Sequence, residues 1–220
     1  HLPLGQVHYP TAGRLLLCRH GQTEFNAGAR YQGQIDTELS ELGREQALQL
    51  GLRLMREHID CAYSSDLKRA ADTARLALGE RPVELHLDVR LRELSFGRWE
   101  GQTFVDVQQR FPEDIAARDH DRVHFAPRGG GESLTDLSKR ITDFLAEVLP
   151  TIDQRTVLLV AHGGSINALI STLIGIPLTS WWRLRNNNAN FSRIDFTPTG
   201  PRLATFNETC HLDGSELKWP

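Results

Sequence analysis

Apolar residues along this chain change their spacing repeatedly, and each change marks an element. Arg14 to Cys18 holds an unbroken run, Leu15-Leu16-Leu17-Cys18, closed by a polar turn, as a strand buried on both faces would. After Ser40, a helix-capping residue type, Ala47, Leu50, Gly51 and Leu54 fall at i, i+3, i+4 and i+7, one face of a helix. Cys61 to Ser64 predicts a second strand, and Leu67, Ala70, Ala71, Ala74 and Leu78 a second helical stripe. Val83 to Leu87 predicts a third strand. From Gln102 to Gly131 the period fades, with Phe104, Phe111 and Phe125 scattered among Arg, His and Asp, and this stretch is expected to be an inserted, lid-like region. Leu137, Ile141, Phe144, Leu145 and Val148 then mark a long helix, opened by Ser133 with Asp136 three residues on, a capping-box arrangement. Thr156 to Ala161 predicts a buried strand, followed by a helix carrying Ile166, Leu169, Ile170 and Leu173. Two β-rich runs, Phe191 to Phe196 and Leu203 to Asn207, flank Thr197-Pro198-Thr199-Gly200-Pro201 and predict an antiparallel pair at a sheet edge.

Strands alternating with amphipathic helices imply an α/β fold, a three-layer α/β/α sandwich with a mainly parallel sheet and an antiparallel edge. The 220 residues suit a single domain, 1–220, with the insertion at about 102–131. In such folds ligands bind beyond the carboxyl ends of the strands, so residues directly after strands matter most.

Composition narrows the function. A formal net charge of −3 with no basic run argues against general nucleic-acid binding. Cys18, Cys61 and Cys210 are odd in number and lack metal-type pairing, which fits reduced thiols. The apolar runs fall far short of a bilayer span, and His1 to Gly13 lacks the basic-then-apolar order of a signal peptide, so a cytoplasmic protein is expected.

Two segments share one format. Leu15 to Gly21 and Leu158 to Gly164 are apolar strands that each end in His-Gly, at His20 and His162. The format puts two imidazoles on one edge of the sheet, with Gly21 and Gly163 letting a ligand approach the backbone. A helix follows the second at once, and its N-terminal N–H groups favour an anion, phosphate above all. In Ser65-Asp66-Leu67-Lys68-Arg69-Ala70, Arg69 enters a helix directly after a strand, at the same edge. Arginine forks match phosphoryl oxygens, so Arg19 and Arg69 are read as a clamp. A neutral imidazole can attack phosphorus in line, which makes His20 the nucleophile and His162 a donor to the transferring oxygens. The departing alkoxide needs a proton. Glu93, just beyond the third strand run and beside Leu94 and Phe96, is favoured over Glu100, which lies further into the turn, and a resemblance to a known family weighs in that choice.

With these residues in place the chain resembles the histidine phosphatase superfamily, in its phosphoglycerate mutase-like branch. The motifs Arg19 to Asn26, Gln32-Gly33, Leu39 to Gly43, Ser64 to Ala74, Leu91 to Gly101, Gly130 to Ser133 and Ala161 to Gly164 are similar to the family's, in the family's order. The resemblance implies a phosphohistidine at His20, a pocket completed by Arg19, Arg69 and His162, and Glu93 as acid and base. It adds Asn26 as a phosphate or substrate contact at the pocket mouth, with Gln32 and Gly33 nearby, and implies no metal and no cofactor. Within the branch, the mutases carry a longer insertion than the 30 residues between Gly101 and Glu132, and Gly-Gly-Glu-Ser resembles the bacterial phosphatases, including the α-ribazole phosphate and glucosyl-3-phosphoglycerate types. Metal-independent hydrolysis of a small phosphorylated metabolite is therefore expected, with a cofactor-dependent phosphoglycerate mutase as the alternative. Substrate choice is expected to sit in 25–34 and 102–131, where Arg110, Arg118, His120, Arg122, His124 and Arg128 form either a polar lid surface or a second acidic-group contact. Trp181 and Trp182 are read as packing or interface residues, which leaves a homodimer open.

Overall fold

A computed structural model of the chain describes residues 9–212. Most of the opening stretch read for a leader lies outside the described residues. One sheet holds six strands in the order β3-β2-β4-β1-β5-β6. These are β1 (Arg14–Arg19), β2 (Cys61–Ser64), β3 (Leu85–Leu87), β4 (Thr156–Ala161), β5 (Phe191–Thr197) and β6 (Gly200–Glu208). The first four are mutually parallel, while β5 pairs antiparallel with both β1 and β6. The expected mainly parallel sheet with an antiparallel edge is what the chain forms, and β3 alone falls short of its predicted start, beginning at Leu85 rather than Val83.

Alternation along β1 explains the two helical layers. Leu16 and Cys18 face α2 (Glu41–Leu54) and α3 (Lys68–Leu78), where Leu50, Leu54, Ala70, Ala74 and Leu78 close one core. Leu15 and Leu17 face α6 (Leu134–Val148) and α7 (Gly163–Ile174), where Leu137, Ile141, Phe144, Ile166, Leu169 and Ile170 close the other. A strand buried on both faces has no polar side to alternate, hence its continuous apolar run. Burial of this kind pushes the Cys18 thiol far above its ordinary pKa, and the cysteine packs as a small hydrophobe.

The aperiodic stretch is more ordered than its pattern suggests. After the short helix α1 (Glu24–Ala27), two further short helices, α4 (Phe104–Arg110) and α5 (Pro112–His120), occupy part of 102–131. Thr103 caps α4 by accepting from the Asp106 N–H at 3.1 Å, and Asp106 returns the bond to the Thr103 N–H at 3.0 Å. Asp114 is buried, bonded to Arg98 at 2.7 and 2.9 Å and to the Trp99 indole N–H at 3.0 Å. Phe125 stacks on Trp99 with centroids 5.5 Å apart, and the Arg98 guanidinium lies 4.1 Å from the Phe111 ring centre. The segment is thus fastened by aromatic faces and one buried carboxylate, neither of which leaves a helical apolar stripe.

Candidate active site

The register of the parallel pair builds the centre of the site. Arg19 lies opposite Ala161 on β1 and β4, so the next residues, His20 and His162, emerge side by side. Their ring centroids are 5.1 Å apart, both rings are buried, and the His20 N–H donates to the Ala161 carbonyl at 3.0 Å. Gly21 is required by packing: a Cβ there would overlap the Gly43 carbonyl where the turn meets α2.

His20 Nδ1 sits 2.7 Å from the Gly21 carbonyl oxygen. A carbonyl only accepts, so in the neutral ring Nδ1 carries the hydrogen and Nε2 keeps the lone pair. Burial, then the charges of Arg69 and Arg19, drive His20 well below the ordinary imidazole pKa, and the Gly21 carbonyl opposes this only in part. His162 is lowered for the same reasons, burial first, then Arg69, His20 and Arg19. Both rings are therefore uncharged at neutral pH.

Arg69 is fully buried at the start of α3. Its two terminal nitrogens donate to the Ile35 and Gly33 carbonyls at 2.8 and 2.7 Å, while Nε has no partner. Burial lowers it to about 10, opposed by Glu93, so it remains a cation. The Arg69 carbonyl accepts from the Thr73 hydroxyl at 2.7 Å, and that oxygen accepts the Gly21 N–H at 3.0 Å, which links α3 to the His20 turn. Arg19 donates through Nη1 to the Asn186 carbonyl at 2.6 Å, and its buried Nε is also unpartnered. Gly163 keeps a gap beside that guanidinium, since a Cβ there would lie 3.7 Å from Arg19 Cζ. With both ring nitrogens of His162, three side chains present buried polar atoms that bond to nothing in the protein. Each costs about 1–3 kcal/mol unless a ligand or a water meets it, and two of the three side chains are cations.

Glu93 stands at the edge of this cluster. Its Oε1 accepts the Leu94 N–H at 2.8 Å and its Oε2 the Gly164 N–H in the first turn of α7 at 3.1 Å. Glu93 acts on both guanidinium groups electrostatically. Arg140, ion-paired with Glu132 at 2.8 Å, donates to the Arg90, Arg92 and Glu93 carbonyls and so fixes the backbone at Glu93. Glu100 is engaged elsewhere: its Oε1 accepts the Gln34 and Phe96 N–H groups, each at 3.0 Å.

The remaining expected contacts are placed unequally. Asn26 Oδ1 accepts from the Thr23 N–H at 3.1 Å, so its NH2 group is the end left for a ligand. Gln32 is buried, and its Oε1 accepts from the Thr23 and Thr37 hydroxyls at 2.9 and 2.7 Å. Gly33 contributes the carbonyl that holds Arg69, at a φ of +53° where a Cβ would overlap Glu100. Sequence reasoning missed the asparagine-rich loop 185–190. It supplies the Asn186 carbonyl to Arg19, the Asn190 Oδ1 to the Arg19 N–H at 3.0 Å, and Asn188 to the His20 turn. A polar Arg-Asn-Asn-Asn-Ala-Asn run directly before a strand was its available signal.

Trp181 packs on the α6 and α7 core, whereas Trp182 is half exposed between the guanidinium groups of Arg122 and Arg183. Among the described residues no group of three His, Cys, Asp or Glu is placed to hold a metal ion, and no helix is long and apolar enough to cross a membrane.

The parallel strands and the start of α3 bring two uncharged imidazoles and two arginines to one edge of an α/β sandwich, a set of groups suited to an anion. The chain belongs to the histidine phosphatase superfamily, branch 1, whose family model matches residues 15–209. It is 44% identical over 177 residues to the glucosyl-3-phosphoglycerate phosphatase of Mycolicibacterium vanbaalenii, covering 76% of this chain and 77% of that protein. It is 36% identical over 199 residues to phosphoserine phosphatase 1 of Hydrogenobacter thermophilus, covering 90% and 94%. A crystal structure of a putative α-ribazole-5'-P phosphatase from Escherichia coli superposes with a TM-score of 0.83 at 33% identity, covering 90% of this chain and 97% of that one. The resemblance read from the motifs is thereby established, and the names of these relatives agree with the expectation of a phosphoric monoester hydrolase.

Proposed function

We propose that the chain is a metal-independent phosphomonoesterase that hydrolyses small phosphorylated metabolites through a phosphohistidine on His20. The observation that carries this reading is the buried, uncharged His20 ring. Its Nδ1–H is held by Gly21, so a lone pair remains on Nε2, beside unpartnered donors from Arg19, Arg69 and His162.

A phosphate monoester enters with its oxygens against the two guanidinium groups and His162, which relieves the buried donors. The His20 Nε2 lone pair attacks phosphorus, the P–O ester bond breaks, and Glu93 in its acid form gives its proton to the departing alkoxide. Glu93, now a carboxylate, takes a proton from water, whose oxygen attacks the phosphoryl group. The P–N bond breaks, inorganic phosphate leaves, and His20 is again neutral. Fixed donors aimed at the transferring oxygens supply the electrostatic stabilisation, and the protein needs no reorganisation to do so.

Glucosylated phosphoglycerate and phosphoserine, named for the two sequence relatives, are phosphomonoesters on small polar carriers. The same substrate class in the cytoplasm is proposed for this chain, with 25–34 and the lid-like 102–131 region of its single domain selecting the carrier. Incubation with p-nitrophenyl phosphate in excess chelator tests the reading: the wild type releases phosphate and His20→Ala does not. A requirement for added divalent metal, or an unchanged rate in His20→Ala, would defeat it. Supplying 3-phosphoglycerate separates the alternative, since free phosphate marks a phosphatase and 2-phosphoglycerate formed after priming with the bisphosphate marks a mutase.

A further inference from the structure

The loop before β5 braces the nucleophile turn from the side of β1 opposite β4. Its backbone and side chains meet nearly every polar group of the turn that β4 leaves unpaired. Asn190 Oδ1 accepts the Arg19 N–H, and the Ala189 N–H donates to the Arg19 and His20 carbonyls at 3.0 and 3.1 Å. Asn188 reaches further into the site. Its Nδ2 lies 3.1 Å from the His20 carbonyl oxygen, 3.4 Å from the Gly21 carbonyl oxygen and 3.2 Å from Asn26 Oδ1. All three are acceptors, so the amide's orientation is unambiguous: the NH2 end points inward.

Two of those acceptors have their own parts in the chemistry. The Gly21 carbonyl is the oxygen that holds the His20 Nδ1–H, and its direction therefore decides which ring nitrogen keeps the lone pair. Asn26 Oδ1, pinned by Asn188 and Thr23 together, leaves the Asn26 NH2 group as the free end. We infer that Asn188 is a positioning residue: by donating at once to the His20 turn and to Asn26, it holds the nucleophile's tautomer and aims the Asn26 donors at the phosphoryl group. This role rests on the phosphohistidine reading above.

The test compares Asn188→Ala and Asn188→Asp with the wild type on p-nitrophenyl phosphate, alone and in an Asn26→Ala background. Asp keeps the shape of Asn but replaces the donor with an acceptor facing three acceptors. A space-filling Asn188 predicts that Asp is tolerated, whereas a donor predicts that Asp is at least as harmful as Ala. The expected loss in kcat/KM is on the order of tenfold for Ala, as for one removed charge-free positioning bond. The effect on KM shrinks in the Asn26→Ala background, because that part acts through Asn26, while the effect on kcat, acting through Gly21, persists. Wild-type kcat and KM in Asn188→Asp, or full additivity with Asn26→Ala, would overturn the role. Should Asn188→Ala fail to fold, the isosteric Asp variant carries the comparison. A wild type that hydrolyses no aryl phosphate defeats the parent reading before any variant is compared, and wild-type turnover with unaffected variants defeats only the role of Asn188.

Discussion

Lowering the pH from 7.5 to 5.5 should destabilise the protein through His20 and His162. Both rings are at most 2% exposed, and burial next to Arg69 and Arg19 holds both well below the ordinary imidazole pKa. The unfolded chain regains a value of about 6.5. Below that pH the unfolded state binds protons that the native state refuses, so stability is full above it and falls as the pH drops toward the native values. At pH 5.5 each histidine contributes a loss of up to about 1.4 kcal/mol, RT times the logarithm of about 11, the limit for a native ring that stays neutral, or up to about 3 kcal/mol for the pair. Carboxylates held below their usual range, such as Asp60 and Asp66, add nothing in this window, because their contribution is lost only as the pH falls below about 4. The assay is urea unfolding of the wild type and a His20→Asn/His162→Asn variant at both pH values. The wild type should lose more than the variant between the two, by up to about 3 kcal/mol. Equal losses would refute the reasoning, since the pH response would then come from groups outside the pocket.

Two substitutions test the proposed division of labour. Arg69→Lys should lower kcat/KM by on the order of a hundredfold in steady-state assays, because one ammonium cannot satisfy the Gly33 and Ile35 carbonyls and still present a planar donor to phosphate. Glu93→Gln should lower kcat/KM, which reports phosphoryl transfer to His20 and not the later attack of water, by roughly 10²- to 10⁴-fold on alkyl phosphates and far less on p-nitrophenyl phosphate, whose leaving group needs no proton. An equal loss on both substrates would remove Glu93 from the acid role.

The sheet and the heart of the site were legible because they follow from short-range rules. Unbroken apolar runs announced β1 and β4, and the repeated His-Gly ending placed two imidazoles at one edge before any register was known. The register Arg19 opposite Ala161 then brings them within contact. Arg69 was legible for the same reason, as the start of a helix after a strand. The structure also separates the two carboxylates the sequence left in competition, placing Glu93 against the α7 N-terminus and Glu100 against loop N–H groups.

What stayed hidden depends on long-range polar contacts. The loop 185–190 has no apolar period, and its asparagines gain meaning only because β5 pairs antiparallel with β1, which returns that loop to the His20 turn. Gln32, grouped with the substrate contacts by its motif, directs its side-chain oxygen to Thr23 and Thr37, a bracing arrangement no local pattern reveals. Helices α4 and α5 escaped notice because Asp114 and the stacked Trp99 and Phe125 fasten them in place of an apolar stripe.

The most direct measurement is acid-sensitive, alkali-stable labelling from a ³²P-phosphomonoester, rapidly quenched in base, with the labelled peptide mapped by mass spectrometry. Label on the imidazole of residue 20, absent from His20→Ala, is the predicted result. Turnover with the label on residue 162, on a carboxylate, or on no residue at all would contradict the central claim.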